Sequence, residues 1–165
     1  MEFQDGKHQF IESWGELGVQ WGISKTMGQI HALLLMSPSP MTSDQVIEEL
    51  DISRGNAHLN LKTLLQWNII TKLSKTGDRK DYYQAEKDIW KLFKQVLINR
   101  KRKELDPMIS TLEQISSVKG VCESSNEFCK MVQELKLFSL KADKLLDNFA
   151  SMENQWLSKT FMKMI

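Results

Sequence analysis

A mainly α-helical fold with one small β-hairpin is predicted by three features of the 165-residue chain. Apolar residues recur at helical spacing through most of its length. Two runs of strand composition, Ile69-Ile70-Thr71-Lys72-Leu73 and Tyr82-Tyr83-Gln84-Ala85, flank the turn Lys75-Thr76-Gly77-Asp78-Arg79-Lys80. Just upstream, two short helical segments are separated by only a few residues. Helix, turn, helix and hairpin, in that order, describe a winged helix-turn-helix, and the helical remainder supplies C-terminal dimerisation helices.

Each element has its own local reason. Residues 2–23 read as an amphipathic helix with Phe3, Phe10, Ile11, Trp14, Leu17, Val19 and Trp21 as packing residues. Gly15, Gly18 and Gly22 either permit close helix approach or end the element near Gly22. A second helix, Lys25–Met36, turns Met27, Ile30, Leu33 and Leu34 inward, and Ser37-Pro38-Ser39-Pro40 stops it. Thr42 caps the helix Ser43–Leu50, whose stripe is Val46, Ile47 and Leu50, and Asp51-Ile52-Ser53 is the connection. Ser53 caps the next helix, which starts at Arg54. At ~100° per residue, Ala57, Leu61, Leu64 and Leu65 share one face, while Asn56, Leu59, Lys62, Thr63 and Gln66 share the other.

Beyond the hairpin, residues 87–104 form a long helix with Ile89, Trp90, Phe93, Val96 and Leu97 at helical spacing. Pro107 allows a new helix start, and Met108, Ile109, Leu112 and Ile115 continue the stripe. Residues 116–120 read as a loop, and 123–140 and 141–164 as one long or two shorter amphipathic helices. The expected division is a winged helix-turn-helix domain with its N-terminal helix, 1–106, and a helical dimerisation region, 107–165. The last third is too rich in long apolar side chains, among them Trp156, Leu157 and Phe161, to bury them against itself. A homodimer is therefore expected.

Composition narrows the function. The net charge of +1 conceals a basic centre: residues 53–107 carry 13 Lys or Arg against 6 Asp or Glu, and the acidic remainder nearly balances them. A localised cationic region suits phosphate binding. The outward helix face adds amide, hydroxyl and cationic groups, which read base edges in the major groove, and a basic hairpin tip suits phosphate or the minor groove. The expected partner is double-stranded DNA. Contacts are expected from Arg54, Asn56, His58, Leu59, Asn60, Lys62 and Thr63 on the helix and from Arg79 and Lys80 on the wing. Asp78 is expected to bond turn amides or pair with Arg79 rather than touch DNA.

Four runs carry a family resemblance: Ser53-Arg54-Gly55-Asn56, Leu65-Gln66-Trp67-Asn68-Ile69-Ile70, Gly77-Asp78-Arg79-Lys80-Asp81-Tyr82-Tyr83 and Arg100-Lys101-Arg102-Lys103-Glu104-Leu105-Asp106-Pro107. With the spacing of Trp14-Gly15 and Gly28, residues 8–115 resemble the GbsR-like branch of the MarR-type winged-helix transcriptional regulators. One departure stands out, because His58 and Leu59 occupy positions where many MarR-type proteins carry Ser or Thr followed by Arg. The resemblance implies a dimeric, sequence-specific repressor with interlocked terminal helices. It also implies a small osmoprotectant-like effector, since this branch is associated with osmoprotectant synthesis and uptake. Aromatic cages bind quaternary ammonium groups, and Trp14, Trp21, Trp90, Phe128, Phe138, Phe149, Trp156 and Phe161 could furnish one, although core and dimer interface is the plainer role for these rings.

An enzyme is not expected. The chain lacks a P-loop, GxGxxG, HExxH, CxxC or nucleophile elbow, and His8, His31 and His58 have no partners at metal-ligand spacing. No cofactor is expected. The longest apolar run, residues 30–36, is far short of a membrane span and contains His31. The first ten residues lack signal-peptide character, and Cys122 and Cys129 read as reduced thiols; the expectation is a cytoplasmic protein without membrane contact. The competing reading is a winged-helix protein-interaction module without DNA binding, which the polar helix face and basic wing disfavour.

Overall fold

The structure, a computed structural model, describes residues 1–118 and 123–152. In chain order the elements are α1 (Phe3–Gln20), α2 (Lys25–Met36), β1 (Met41–Thr42), α3 (Ser43–Leu50), α4 (Arg54–Gln66), β2 (Ile70–Ser74), β3 (Asp81–Ala85), α5 (Ile89–Arg100), a π-helical turn (Lys101–Leu105), α6 (Asp106–Ile115) and α7 (Glu123–Ser151). They form two compact units whose boundary falls inside α5, between Leu92 and Phe93.

The first unit is a winged helix-turn-helix preceded by a helix. Its centre is α2, which packs on α1, α3, α4 and β3. Met27, Ile30, Leu33 and Leu34 are buried as the spacing predicts, joined by Ile11, Val46, Ala57, Leu61, Leu64, Ile69, Ile70 and Tyr83. The Ser24 hydroxyl caps α2 by accepting from the Met27 amide at 3.0 Å. Thr42 and Gln45 form a reciprocal capping box at the start of α3, with the Gln45 side chain accepting from the Thr42 amide at 2.8 Å. The tight exit from α3 places Asp51 at φ 50°, in the left-handed region that Asp tolerates.

α1 differs from the sequence expectation. Ile11, Gly15 and Gly18 face inward, whereas Phe3, Val19 and Trp21 are at least half exposed. The reason is backbone proximity: a Cβ on Gly28 would lie 2.9 Å from the Gly15 Cα and 3.0 Å from the Trp14 carbonyl oxygen. Two glycines facing each other let α1 and α2 approach more closely than large side chains allow, so the contact seam follows the glycines. Gly28→Ala should destabilise the fold by about 1–3 kcal/mol, since the obstructing atoms are backbone. Urea denaturation of the variant measures this directly; an unchanged midpoint would contradict the close packing.

The sheet has the order β1-β3-β2 and is antiparallel throughout. Ile70 pairs with Ala85 and Ser74 with Asp81, while Met41 and Thr42 pair with Tyr83 and Tyr82. The third strand, β1, is absent from the sequence reading because two residues carry no periodicity.

In the second unit the expected break at Pro107 is a π turn. The Asp106 amide reaches back to the Lys101 carbonyl, and helix continues on either side. Proline lacks the amide that would donate to the carbonyl four residues earlier, and its ring crowds that carbonyl. Widening the preceding turn accommodates both effects without ending the helix. Lys101 thereby reaches Asp143 and Asp147 of α7 at 2.8 and 2.9 Å, with Asp106 at 3.8 Å. These carboxylates, Asp143 first, hold the Lys101 ammonium well above its ordinary range. Leu112 and Val132 are the buried apolar contacts of α6 and α7, and Phe93 meets Phe149 edge-on at 5.9 Å. On α5, Leu92 and Lys94 are buried, whereas Ile89 and Phe93, expected to pack, are 62% and 46% exposed.

Candidate nucleic-acid interface

Helix α4 starts where the cap predicts, with the Ser53 hydroxyl accepting from the Asn56 amide at 3.3 Å. Ala57, Leu61 and Leu64 anchor it in the core, which turns Arg54, His58, Leu59 and Lys62 to the exterior. Leu59 is 65% exposed, an unusual position for leucine on a helix that otherwise buries its apolar residues well. Thr63 is half-buried, and its hydroxyl donates to the Leu59 carbonyl at 3.0 Å.

Two residues expected at the contact face have other duties. Asn60 is only 6% exposed. Its amide nitrogen donates to the Asn56 carbonyl and side-chain oxygens at 2.8 and 2.7 Å, and its amide oxygen accepts from the Ser24 hydroxyl at 2.8 Å. The expectation that Asn60 flanks a duplex therefore gives way to an internal role. Asn56 is half-buried, and its amide nitrogen donates to the Thr26 hydroxyl at 3.1 Å. The two asparagines pin the first turns of α4 to the N-terminus of α2. Buried amides are costly unless bonded, and here every amide group has a partner. A base contact by Asn56 would first have to break its bond to Thr26.

The wing is fixed by its own side chains. Gly77 takes φ +84° at the turn, a conformation that favours glycine. Asp78 accepts from the Tyr82 hydroxyl at 2.7 Å and from the Lys80 amide at 2.9 Å. The first of these bonds, then the second, holds the Asp78 carboxyl below the usual carboxylate range and keeps it charged. Asp78 thus bonds a turn amide, as its position predicts. Lys75 sits 3.9 Å from the centre of the Tyr82 ring, and Lys72 pairs with Asp81 at 2.8 Å across the hairpin. Arg79 and Lys80 remain exposed at the tip.

A residue that the sequence does not single out connects the two surfaces. Asp44, in the first turn of α3, lies 3.7 Å from an Arg54 guanidinium nitrogen and 3.8 Å from the Lys80 ammonium. The start of α4 and the wing tip therefore face the same side. In sequence Asp44 is indistinguishable from an ordinary acidic residue at a helix start, where the helix dipole favours it.

Other chemistry is sparse. Among the described residues no cluster of His, Cys, Asp and Glu could hold a metal ion, and no helix is long and apolar enough to cross a membrane. Of the rings considered for a cage, Trp14 stacks on Phe10 and donates its indole N–H to His31 at 3.2 Å. Phe149 meets Phe93, and Phe128 and Phe138 are exposed on α7. Trp156, Leu157 and Phe161, like Cys122, lie outside the described residues.

No protein-family model matches the chain. Over 90 residues it is 28% identical to the putative HTH-type transcriptional regulator YvaV of Bacillus subtilis (strain 168), covering 54% of this chain and 51% of the relative. Over 104 residues it is 28% identical to the HTH-type transcriptional repressor GbsR of the same organism, covering 63% and 57%. The repressor OpcR, again from that organism, is 26% identical over 90 residues, covering 54% and 49%. The chain spans about half the length of the curated relatives it matches. A crystal structure of a transcriptional regulator superposes with a TM-score of 0.70, at 16% identity, over 88% of this chain and 95% of that one, which shows the shared fold. By sequence the chain is similar to the HTH-type transcriptional regulators GbsR, YvaV and OpcR, and its fold is a winged helix-turn-helix.

Proposed function

We propose that this chain is a dimeric, sequence-specific DNA-binding transcriptional regulator acting as a repressor. The observation that carries the reading is the shared contact of Arg54 and Lys80 with Asp44. It puts the outward face of α4 and the wing on one surface, as simultaneous engagement of a major groove and the neighbouring backbone requires. On that surface His58, Leu59 and Lys62 face the bases, with Leu59 suited to a thymine methyl. Arg54, Arg79 and Lys80 face phosphate. Asn56 and Asn60 set the helix at its angle.

The test is a gel shift of the purified protein on the DNA upstream of its own coding region, with scrambled competitor. Retardation that survives the competitor supports the reading. Binding to neither DNA, together with capture of a protein partner through α4, favours the interaction-module alternative.

Dimerisation belongs to the same proposal. Phe128, Met131, Leu135, Phe138 and Leu145 are between 43% and 70% exposed and fall on about a 100° arc of α7. Such a stripe is ~25 Å long at the helical rise and needs covering. A homodimer of about twice the 19.2 kDa chain mass, burying more than ~2,000 Å², is the expected species. Sedimentation equilibrium checks it, and a monomer at micromolar concentration would contradict it.

A further inference from the structure

The position of Asp44 has a consequence for how strongly any duplex is held. Arg54 and Lys80 come from different elements, the start of α4 and the end of the wing turn, yet both cations approach the two oxygens of one carboxylate at 3.7 and 3.8 Å. Arg54, Lys80 and Asp44 side chains are all more than half exposed, at 78%, 61% and 57%. Ion pairs that open to water contribute little to stability. Their geometry matters more than their energy, because two cations converging on one anionic group form a site for a phosphate oxygen, and that place is already taken by the protein's own acid. The α3 cap does not need the Asp44 side chain, since Thr42 and Gln45 complete the capping box themselves.

We propose that Asp44 is an internal competitor for a DNA phosphate at the Arg54–Lys80 site. It lowers affinity for duplexes of any sequence and thereby makes binding depend more heavily on the base contacts of α4. The proposal rests on the DNA-binding reading above. A phosphate arriving at this site must displace the carboxylate and then bind beside it, at a Coulombic disadvantage that the electrically neutral amide of Asn would not impose. Phosphate contacts carry no sequence information, so weakening them uniformly raises the share of binding free energy that reads sequence.

The test is fluorescence anisotropy of the full chain and its Asp44→Asn variant, on a random-sequence duplex and on the upstream duplex, at several salt concentrations. Asp44→Asn should tighten random-duplex binding by roughly fivefold at low salt, the factor expected for one near unit charge in water. It should also steepen the slope of log K against log salt by up to about 0.9 for each additional phosphate neutralised. The ratio of specific to random affinity should fall. In an Arg54→Ala/Lys80→Ala background the same change should have little effect, and Asp44→Ser should reproduce Asp44→Asn, with thermal melts verifying that each variant is folded. Weaker binding by Asp44→Asn would mean that the carboxylate organises the two cations for DNA, which overturns the proposal. Equal tightening in the doubly substituted background would reduce Asp44 to general charge and overturn it as well. Binding by wild type without any improvement in Asp44→Asn sinks the competitor role alone, whereas no binding by either protein to any duplex sinks the DNA-binding reading with it.

Discussion

Replacing Arg79 and Lys80 together with alanine should weaken binding to specific and non-specific DNA alike and flatten its salt dependence. The wing tip is shaped by the Gly77 turn and the Asp78 bonds to Tyr82 and the Lys80 amide, and its two cations are exposed with no part in the core. A dimer would lose up to four cations. Each phosphate no longer neutralised removes about 0.9 from the slope of log K against log salt, so the slope should flatten by up to roughly 3.6. Sequence preference should survive, because the contacts of α4 remain. A titration across salt concentrations decides the matter: an unchanged slope would mean that the wing is a solvated hairpin and not a DNA contact. Lys80 is shared with the Asp44 site, so the single Arg79→Ala variant isolates the part that does not depend on Asp44.

The second large effect is on stability. His31 is 4% exposed on α2. Its Nδ1 accepts from the Trp14 indole, which leaves the proton of the neutral ring on Nε2, and Nε2 is buried without a partner among the described residues. Burial first, and the nearby Lys87 ammonium second, push its pKa from 6.5 down to about 4. Lys87 cannot move away easily, because it donates to the carbonyls of Leu34, Leu35 and Ser37 at the end of α2. The sign follows from linkage. The unfolded chain takes a proton as pH falls through about 6.5, while the folded chain resists until about 4. Stability is therefore complete above pH ~6.5 and is lost on acidification, by about 2 kcal/mol near pH 5 and about 3 kcal/mol near pH 4. Chemical denaturation at pH 8, 5 and 4 should show this loss in the wild type and much less of it in His31→Leu. Equal acid sensitivity in both proteins would place the titrating group elsewhere.

Much of the fold is legible in the chain because its signals are local. Ser53, Thr42 and the Pro38/Pro40 stop mark helix ends through bonds within a few residues, and the predicted α2, α3 and α4 coincide with the observed ones. Gly77-Asp78 marks the hairpin for the same reason. The differences concern groups whose partners are distant. The helical wheel shows Asn56 and Asn60 as polar, yet only the arrival of Ser24 and Thr26, some thirty or more residues away, makes them an internal network. Asn60 does border the apolar arc of Ala57, Leu61 and Leu64, and that adjacency is the one local warning. The same limit hides β1, whose partners are Tyr82 and Tyr83, and it leaves open which helix Gly15 approaches until Gly28 is seen to meet it. Asp44 is silent in the sequence because its charge acquires meaning only when the wing folds against α3. Leu59 is legible as an outward-facing residue, and its exposure is what the helical wheel requires.

The proposed DNA-binding surface is built from the outward face of α4 and the wing tip together. Amide chemical-shift mapping of the full chain, titrated with its upstream DNA, tests this most directly. The largest changes are expected at residues 54–62 and 76–80, with α6 and α7 little affected. Changes concentrated on α1 or α7, with residues 54–62 and 76–80 undisturbed at saturation, would contradict it.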